Sequence, residues 1–205
     1  MKRVAVFNGS LRKESINRKF AESIARLASG KLEFHFVEIG DLPLYNDDLM
    51  ADGVPASVAR VKAEIEAADA VLFVTPEYNR AYTPAIKNVI DWASRPYGKN
   101  SWSAKPSAVI GATPGATGTA AAQNSLKGLL TVVDTVLMGQ PEVYFTYKPE
   151  LFDADGSVVD ASTRNFLTAW VDRFSAWIER TSERKTQDQA CLLYTSPSPR
   201  DQRGS

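Results

Sequence analysis

Three observations predict an α/β fold, a single domain built on a five-stranded parallel sheet with helices on both faces. Short runs rich in β-branched residues recur five times along the chain. Amphipathic stretches separate them in strict alternation, the pattern of strand–helix–strand units. The first run, residues 4–7 (VAVF), is apolar at every position, as a strand buried on both faces requires.

Taken in order, that first strand is closed by Asn8-Gly9-Ser10, a tight loop. Ile16, Phe20, Ile24 and Leu27 then recur at helical spacing, with Gly30 as the stop. Leu32, Phe34 and Phe36 mark a second strand whose other face carries His35, read as a plain surface residue. Residues 41–55 form a loop rich in Asp, Pro and Gly, long enough to suggest a function. Val58, Val61, Ile65 and Ala68 define a second helix, and residues 70–75 (AVLFVT) a third strand. Thr83-Pro84 opens the next helix, a capping hydroxyl followed by proline at the first helical position. Its apolar face is Ile86, Val89, Ile90 and Ala93. Residues 107–112 (SAVIGA) are a fourth strand, 113–119 a glycine-containing loop, 120–135 a helix and 142–145 a fifth strand. A last helix presents Phe166, Leu167, Trp170, Val171, Phe174, Trp177 and Ile178 at 3.6-residue periodicity. Right-handed crossovers favour the strand order 2-1-3-4-5, a flavodoxin-like three-layer sandwich.

A chain of 205 residues suits one domain. Lys plus Arg and Asp plus Glu both number 24, so no basic excess invites nucleic acid or an anionic membrane. No leader is recognised at the start, and no run approaches the roughly 18 apolar residues of a membrane helix, giving a cytoplasmic reading. One Cys and one His argue against a disulfide framework or a classical zinc site. The domain is read as residues 1–184 and the remainder, 185–205, as a disordered or artefactual tail. Its segment 191–201 (CLLYTSPSPRD) resembles the read-through translation of a transposon-derived sequencing adapter, so Cys191 is given no chemical role.

In an open parallel sheet ligands bind beyond the carboxyl ends of the strands, where the strand order reverses. For order 2-1-3-4-5 that place lies between strands one and three, and the loops leaving them are the two most unusual segments. Residues 9–17 (GSLRKESIN) run directly into a helix, whose first N–H groups and positive dipole end favour a phosphate. Ser10 and Ser15 offer hydroxyls, Asn17 an amide and Arg12 a guanidinium; Ser15 serves equally as a plain helix cap. Neither dinucleotide nor P-loop fingerprint is present, and the modest charge suits a monophosphate. Residues 76–82 (PEYNRAY) combine backbone amides, a carboxylate, a side-chain amide and two aromatic rings, the mixture a flat heteroaromatic ring with a polar edge needs. Tyr82 reads equally as cover for the core edge, and Arg80 either attracts an anionic acceptor or nucleotide phosphate or pairs with an acidic neighbour. In the third loop Gly115 permits close approach of backbone to a ligand.

Gly9-Ser10-Leu11-Arg12 with Ser15 and Asn17, then Pro76-Glu77-Tyr78-Asn79, then Lys87-Asn88 and Asp91-Trp92, resemble the NADPH-dependent FMN reductase family, from about Lys2 to Arg180. Within it the chain is most similar to the chromate/quinone reductase-like branch. The resemblance implies a flavodoxin-like fold, non-covalent FMN, NADPH or NADH as co-substrate, and a homodimer or homotetramer. It implies that Ser10, Arg12, Ser15, Ile16 and Asn17 hold the FMN phosphate, that Pro76, Glu77, Tyr78 and Asn79 line the ribityl chain and ring, and that Gly115 borders the ring. It places residues 45–48 in a loop that approaches the neighbouring subunit. The expected activity is reduction of quinones, chromate or similar small acceptors through the flavin in a ping-pong cycle. The protein then supplies position and electrostatics, with no catalytic acid or base and no metal. A flavodoxin-like electron carrier without direct nicotinamide turnover is the alternative; such carriers are usually strongly acidic, and this chain is charge-balanced.

Overall fold

The computed structural model describes residues 1–51 and 53–194. Its sheet contains β1 (Lys2–Asn8), β2 (Leu32–Phe36), β3 (Ala70–Val74), β4 (Pro106–Thr113), β5 (Val136–Leu137) and β6 (Val143–Thr146). The helices are α1 (Ile16–Leu27), α2 (Ala56–Ala67), α3 (Pro84–Ala93), α4 (Ala120–Val132) and α5 (Ala161–Tyr194). All strand pairs are parallel and the order is β2-β1-β3-β4-β5, with β6 also on β4, as a flavodoxin-like sandwich requires.

The expected fifth strand is β6, and the structure adds β5. Both lie along the same side of β4, where Pro106 and Ser107 pair with Val136 and Leu137, and Ile110 to Thr113 pair with Val143 to Thr146. Between them comes Pro141, which has no N–H to give to a ladder, so one edge position of the sheet is filled in two pieces.

Successive strand residues point to opposite faces, and each face is apolar. Val4, Val6, Leu72, Val74 and Ile110 meet Phe20 and Ile24 of α1 and Leu167, Trp170, Val171, Phe174 and Ile178 of α5. Ala5, Phe7, Val71, Phe73 and Val109 meet α2, α3 and α4 together with buried Trp92 and Trp102. The α5 face departs from the periodicity at Phe166, which is 43% exposed. His35 is also less free than expected: α2 covers its side of β2, and its Nε2 lies 2.5 Å from Glu64 Oε2. Helix α5 continues through Tyr194; of the segment 191–201 singled out above, residues 195–201 lie outside the described residues.

Candidate functional site

The carboxyl ends of β1, β3 and β4 lie side by side, and their loops interlock. Asn8 pairs with Val74, and the Gly9 N–H donates to the Val74 carbonyl at 2.8 Å. A Cβ on Gly9 would stand 2.6 Å from Thr83 Oγ1 and 2.7 Å from Ile86 Cγ1, so the first loop passes α3 where only glycine fits. Gly111 faces the same constraint, since its Cβ would lie 2.3 Å from the Thr75 carbonyl oxygen.

At the start of α1, Ser15 is buried and its Oγ accepts the Arg18 N–H at 3.1 Å, an N-cap. The cap satisfies one donor; the N–H groups of Ile16 and Asn17, in the first turn, have no acceptor within the helix. Ser10 is buried just ahead of them, its carbonyl taking the Asn8 Nδ2 donor at 2.8 Å. Asn17 behaves differently from a phosphate-binding side chain. Its amide is buried, with Nδ2 donating to the Ala112 carbonyl and Oδ1 accepting the Ala112 N–H, both at 2.9 Å. It therefore splices the start of α1 to the end of β4, leaving its backbone N–H at the open helix end. Arg12 is exposed and lines a cleft of about 400 Å³ on the β2 side, with Ser10, Glu38 and Arg18. Arg18 had no sequence signal of its own; its guanidinium lies over the Phe36 ring at 3.9 Å and its Nε donates to Glu22 at 2.6 Å.

Residues 76–82 form a two-residue hairpin. Tyr78 and Ala81 exchange N–H···O=C bonds of 2.9 and 3.0 Å, and the central residues Asn79 and Arg80 have φ of 52° and 67°. Asn visits this left-handed region readily; for Arg the cost is about 1 kcal/mol. Glu77 is turned inward, its side chain 11% exposed. Its Oε2 accepts the N–H groups of Ala121 and Ala122 at 3.1 and 3.2 Å, and its Oε1 meets Arg80 Nη1 at 3.2 Å. The carboxylate thus closes the positive end of α4, whose own first position, Thr119, supplies no side-chain cap. What the hairpin leaves facing outward is its backbone, Asn79, Arg80 and the Tyr78 ring, 45% exposed. Pro76 is half-buried at the root of the loop, and Tyr82 is half-buried against the α2–α3 core.

In the third loop Gly115 is exposed, a Cβ there would make only an ordinary contact with Thr113 Oγ1 at 3.8 Å, and its carbonyl accepts from Thr146 Oγ1 at 3.3 Å. Gly118, at φ +56°, lets the loop press on β6, since a Cβ there would lie 2.3 Å from the Tyr144 carbonyl carbon. Beside it the Tyr144 hydroxyl donates to Glu142 at 2.6 Å, and burial together with that carboxylate pushes the phenol up to about 12. The Lys127 ammonium and the Tyr144 hydroxyl hold Glu142 below the usual carboxylate range.

Asn88 and Trp92 anchor the long loop on α3, while Lys87 and Asp91 pair with each other along that helix. Asn88 accepts the Tyr45 N–H at 2.8 Å and donates to the Pro43 carbonyl, which also takes the Trp92 indole N–H. The Tyr45 ring stands edge-on to Trp92, centroids 4.9 Å apart.

An open helix start flanked by two buried serines, next to a backbone-faced hairpin and an exposed glycine, fits a phosphate carrying a flat ring. Comparison with known proteins agrees. Residues 2–150 match the family described as NADPH-dependent FMN reductase. The chain is 48% identical over 176 residues to a quinone reductase of Pseudomonas putida, covering 86% of this chain and 94% of that protein. It is 44% identical over 176 residues to a 2-hydroxy-1,4-benzoquinone reductase of a Burkholderia species, covering 86% of this chain and 96% of the relative. Among solved structures, FerB, a flavoenzyme NAD(P)H:(acceptor) oxidoreductase from Paracoccus denitrificans, superposes with a TM-score of 0.86 and 56% identity, over 88% of this chain and 99% of that one. This chain belongs to the NADPH-dependent FMN reductase family, and its cofactors are FMN and a reduced nicotinamide nucleotide.

Proposed function

We propose that this protein holds FMN with its phosphate at the start of α1 and its ring along the hairpin after β3, and that it reduces quinones with NADPH or NADH. The observation that carries the reading is the junction of the two loops: an open helix N-terminus lies beside a hairpin turn that presents its backbone outward. Bound there, FMN would supply the redox chemistry, a site for the nicotinamide's hydride and a source of electrons for the acceptor.

The chain's own residues bind and position. Ile16 and Asn17 direct backbone N–H groups at the phosphate, and Ser10 and Ser15 border it with hydroxyls. Arg12, which lines the cleft beside Ser10, would supply a guanidinium to the phosphate oxygens. Asn17 fixes the helix start against β4, so the phosphate seat and the Gly115 loop hold one spacing. Glu77 fixes the hairpin against α4, leaving Pro76, Tyr78 and Asn79 to line the ring. Quinones are the favoured acceptors because two relatives of 44% and 48% identity are named for quinone reduction; chromate belongs in the same assay. The reading extends to a homodimer or homotetramer, since Leu44, Leu49 and Val54 stand exposed on the loop carried by α3.

Purified protein should be yellow and release FMN on denaturation. Under anaerobic conditions NADPH should bleach it within the mixing time of a stopped-flow instrument, and a quinone should restore the colour. Protein that takes up no added FMN ends the proposal; light scattering at the monomer mass ends its oligomeric part.

A further inference from the structure

We infer that Arg80 selects for acceptors carrying an anionic oxygen, the ionised hydroxyquinones above all. The inference rests on the quinone-reductase reading of the same site and adds to it a residue and a substrate class.

Three observations carry it. Arg80 holds the second central position of a hairpin turn at φ 67°, where glycine is the default and a branched cationic side chain is strained. The fold gives little in return, because the side chain is 74% exposed and its hydrogen-bond partner is the Glu77 carboxylate at 3.2 Å. A strained, exposed residue at the rim of a ligand site points to a task there.

The second observation is that Arg80 can leave its partner. Its contact with Glu77 Oε1 is 3.2 Å, against 2.5–2.6 Å for Lys19–Glu14, Arg18–Glu22 and Lys87–Asp91. Glu77 keeps two N–H donors and the positive end of α4 when the guanidinium turns away. The Arg80 end of the pair is 74% exposed, so water takes over its hydrogen bonds when the guanidinium leaves.

The third is chemical fit. An ionised 2-hydroxyquinone carries negative charge on its C2 oxygen, shared through the ring with the C4 oxygen, and the neighbouring C1 carbonyl oxygen stands beside it, so the planar guanidinium fork can take the C1 and C2 oxygens in a bidentate grip. A neutral quinone offers no such pair. Tyr78 supplies an exposed ring two residues away for the quinone to lie against.

The test uses FMN-loaded wild type, Arg80→Gly and Arg80→Lys with two acceptors, 2-hydroxy-1,4-naphthoquinone, ionised at neutral pH, and uncharged 1,4-naphthoquinone. The ratio of kcat/KM for the hydroxyquinone to that for its parent should fall about tenfold in Arg80→Gly, the scale of a lost hydrogen bond to a charged group, mainly through KM. Arg80→Lys should recover part of the ratio, and added salt should erode it in wild type. Titrating the hydroxyquinone into oxidised enzyme, followed by flavin absorbance, should show the same loss of affinity. Arg80→Gly should also melt at a higher temperature than wild type, the opposite of what a structural role requires. An unchanged ratio, or a proportional fall for both acceptors with a raised KM for NADPH, overturns the inference. If wild type turns over neither quinone, the quinone-reductase reading fails, and the binding titration still decides Arg80.

Discussion

Two helix starts face the same edge of the sheet, and the protein treats them in opposite ways. Helix α4 begins at a left-handed Thr119 with no side-chain cap, and Glu77 reaches across from another loop to occupy its free N–H groups. Helix α1 begins with its own serine cap, and the donors beside that cap stay available. Both ends carry the same partial positive charge. A carboxylate built into the fold neutralises one, and on the proposed reading the FMN phosphate takes the other. The comparison teaches that a phosphate seat is recognised by which helix start is left open, since every helix has a start.

The largest effect should come from breaking the support of the open end. Asn17→Ala removes both bonds to Ala112 and leaves two buried backbone groups unpaired, a loss of about 3 kcal/mol in urea unfolding, with weaker FMN binding alongside. Next, Arg12→Ala should weaken FMN binding by about 1.5–3 kcal/mol, measured by fluorescence as apoprotein is reconstituted, because a charged donor to the phosphate is lost. Unchanged affinity would assign Arg12 to the cleft alone.

Opening the closed end sharpens the contrast from the other side. Glu77→Ala should lower stability by about 2 kcal/mol and turn the α4 start into a second anion seat. Inorganic phosphate should then raise the melting temperature of the variant more than that of the wild-type apoprotein; equal shifts would show that Glu77 does not decide between the two ends. Ser15→Ala should cost about 1 kcal/mol, the value of one helix cap.

The smallest effect concerns the β6 edge behind the closed end. Tyr144 is raised from an ordinary 10.0 to about 12, so the fold favours its neutral phenol. That contribution is complete below pH 10 and is lost as pH climbs toward 12. Glu142 is lowered, so its contribution is present above the ordinary carboxylate range and fades as pH falls through it. Tyr144→Phe should flatten the alkaline decline in melting temperature while leaving the α1 end untouched.

Much of this site can be read from residue order. A glycine and two serines after an apolar strand announce a tight loop into a helix, and Pro-Glu-Tyr-Asn after another strand announces a polar turn, because turn chemistry is local. The division of labour inside those loops is not local. Asn17 looked like a ligand-facing amide, yet its partner Ala112 is 95 positions away. Glu77 looked like a ring contact, yet it binds N–H groups 44 and 45 positions on. His35 has its partner, Glu64, on a helix that crosses over the sheet before meeting it. Tyr82 was open to two readings, and packing against the α2–α3 core settled its surroundings.

By itself the sequence determined the helices, every strand but β5, their order and the sheet edge at which a ligand is expected, since periodicity and strand sequence dictate which faces must be buried. Only the tertiary structure decided which helix start is open and which is closed, and which polar side chains serve the fold rather than the ligand. The physical reason is that a buried polar group must find a partner, and that partner is chosen by proximity in space, whatever its distance along the chain.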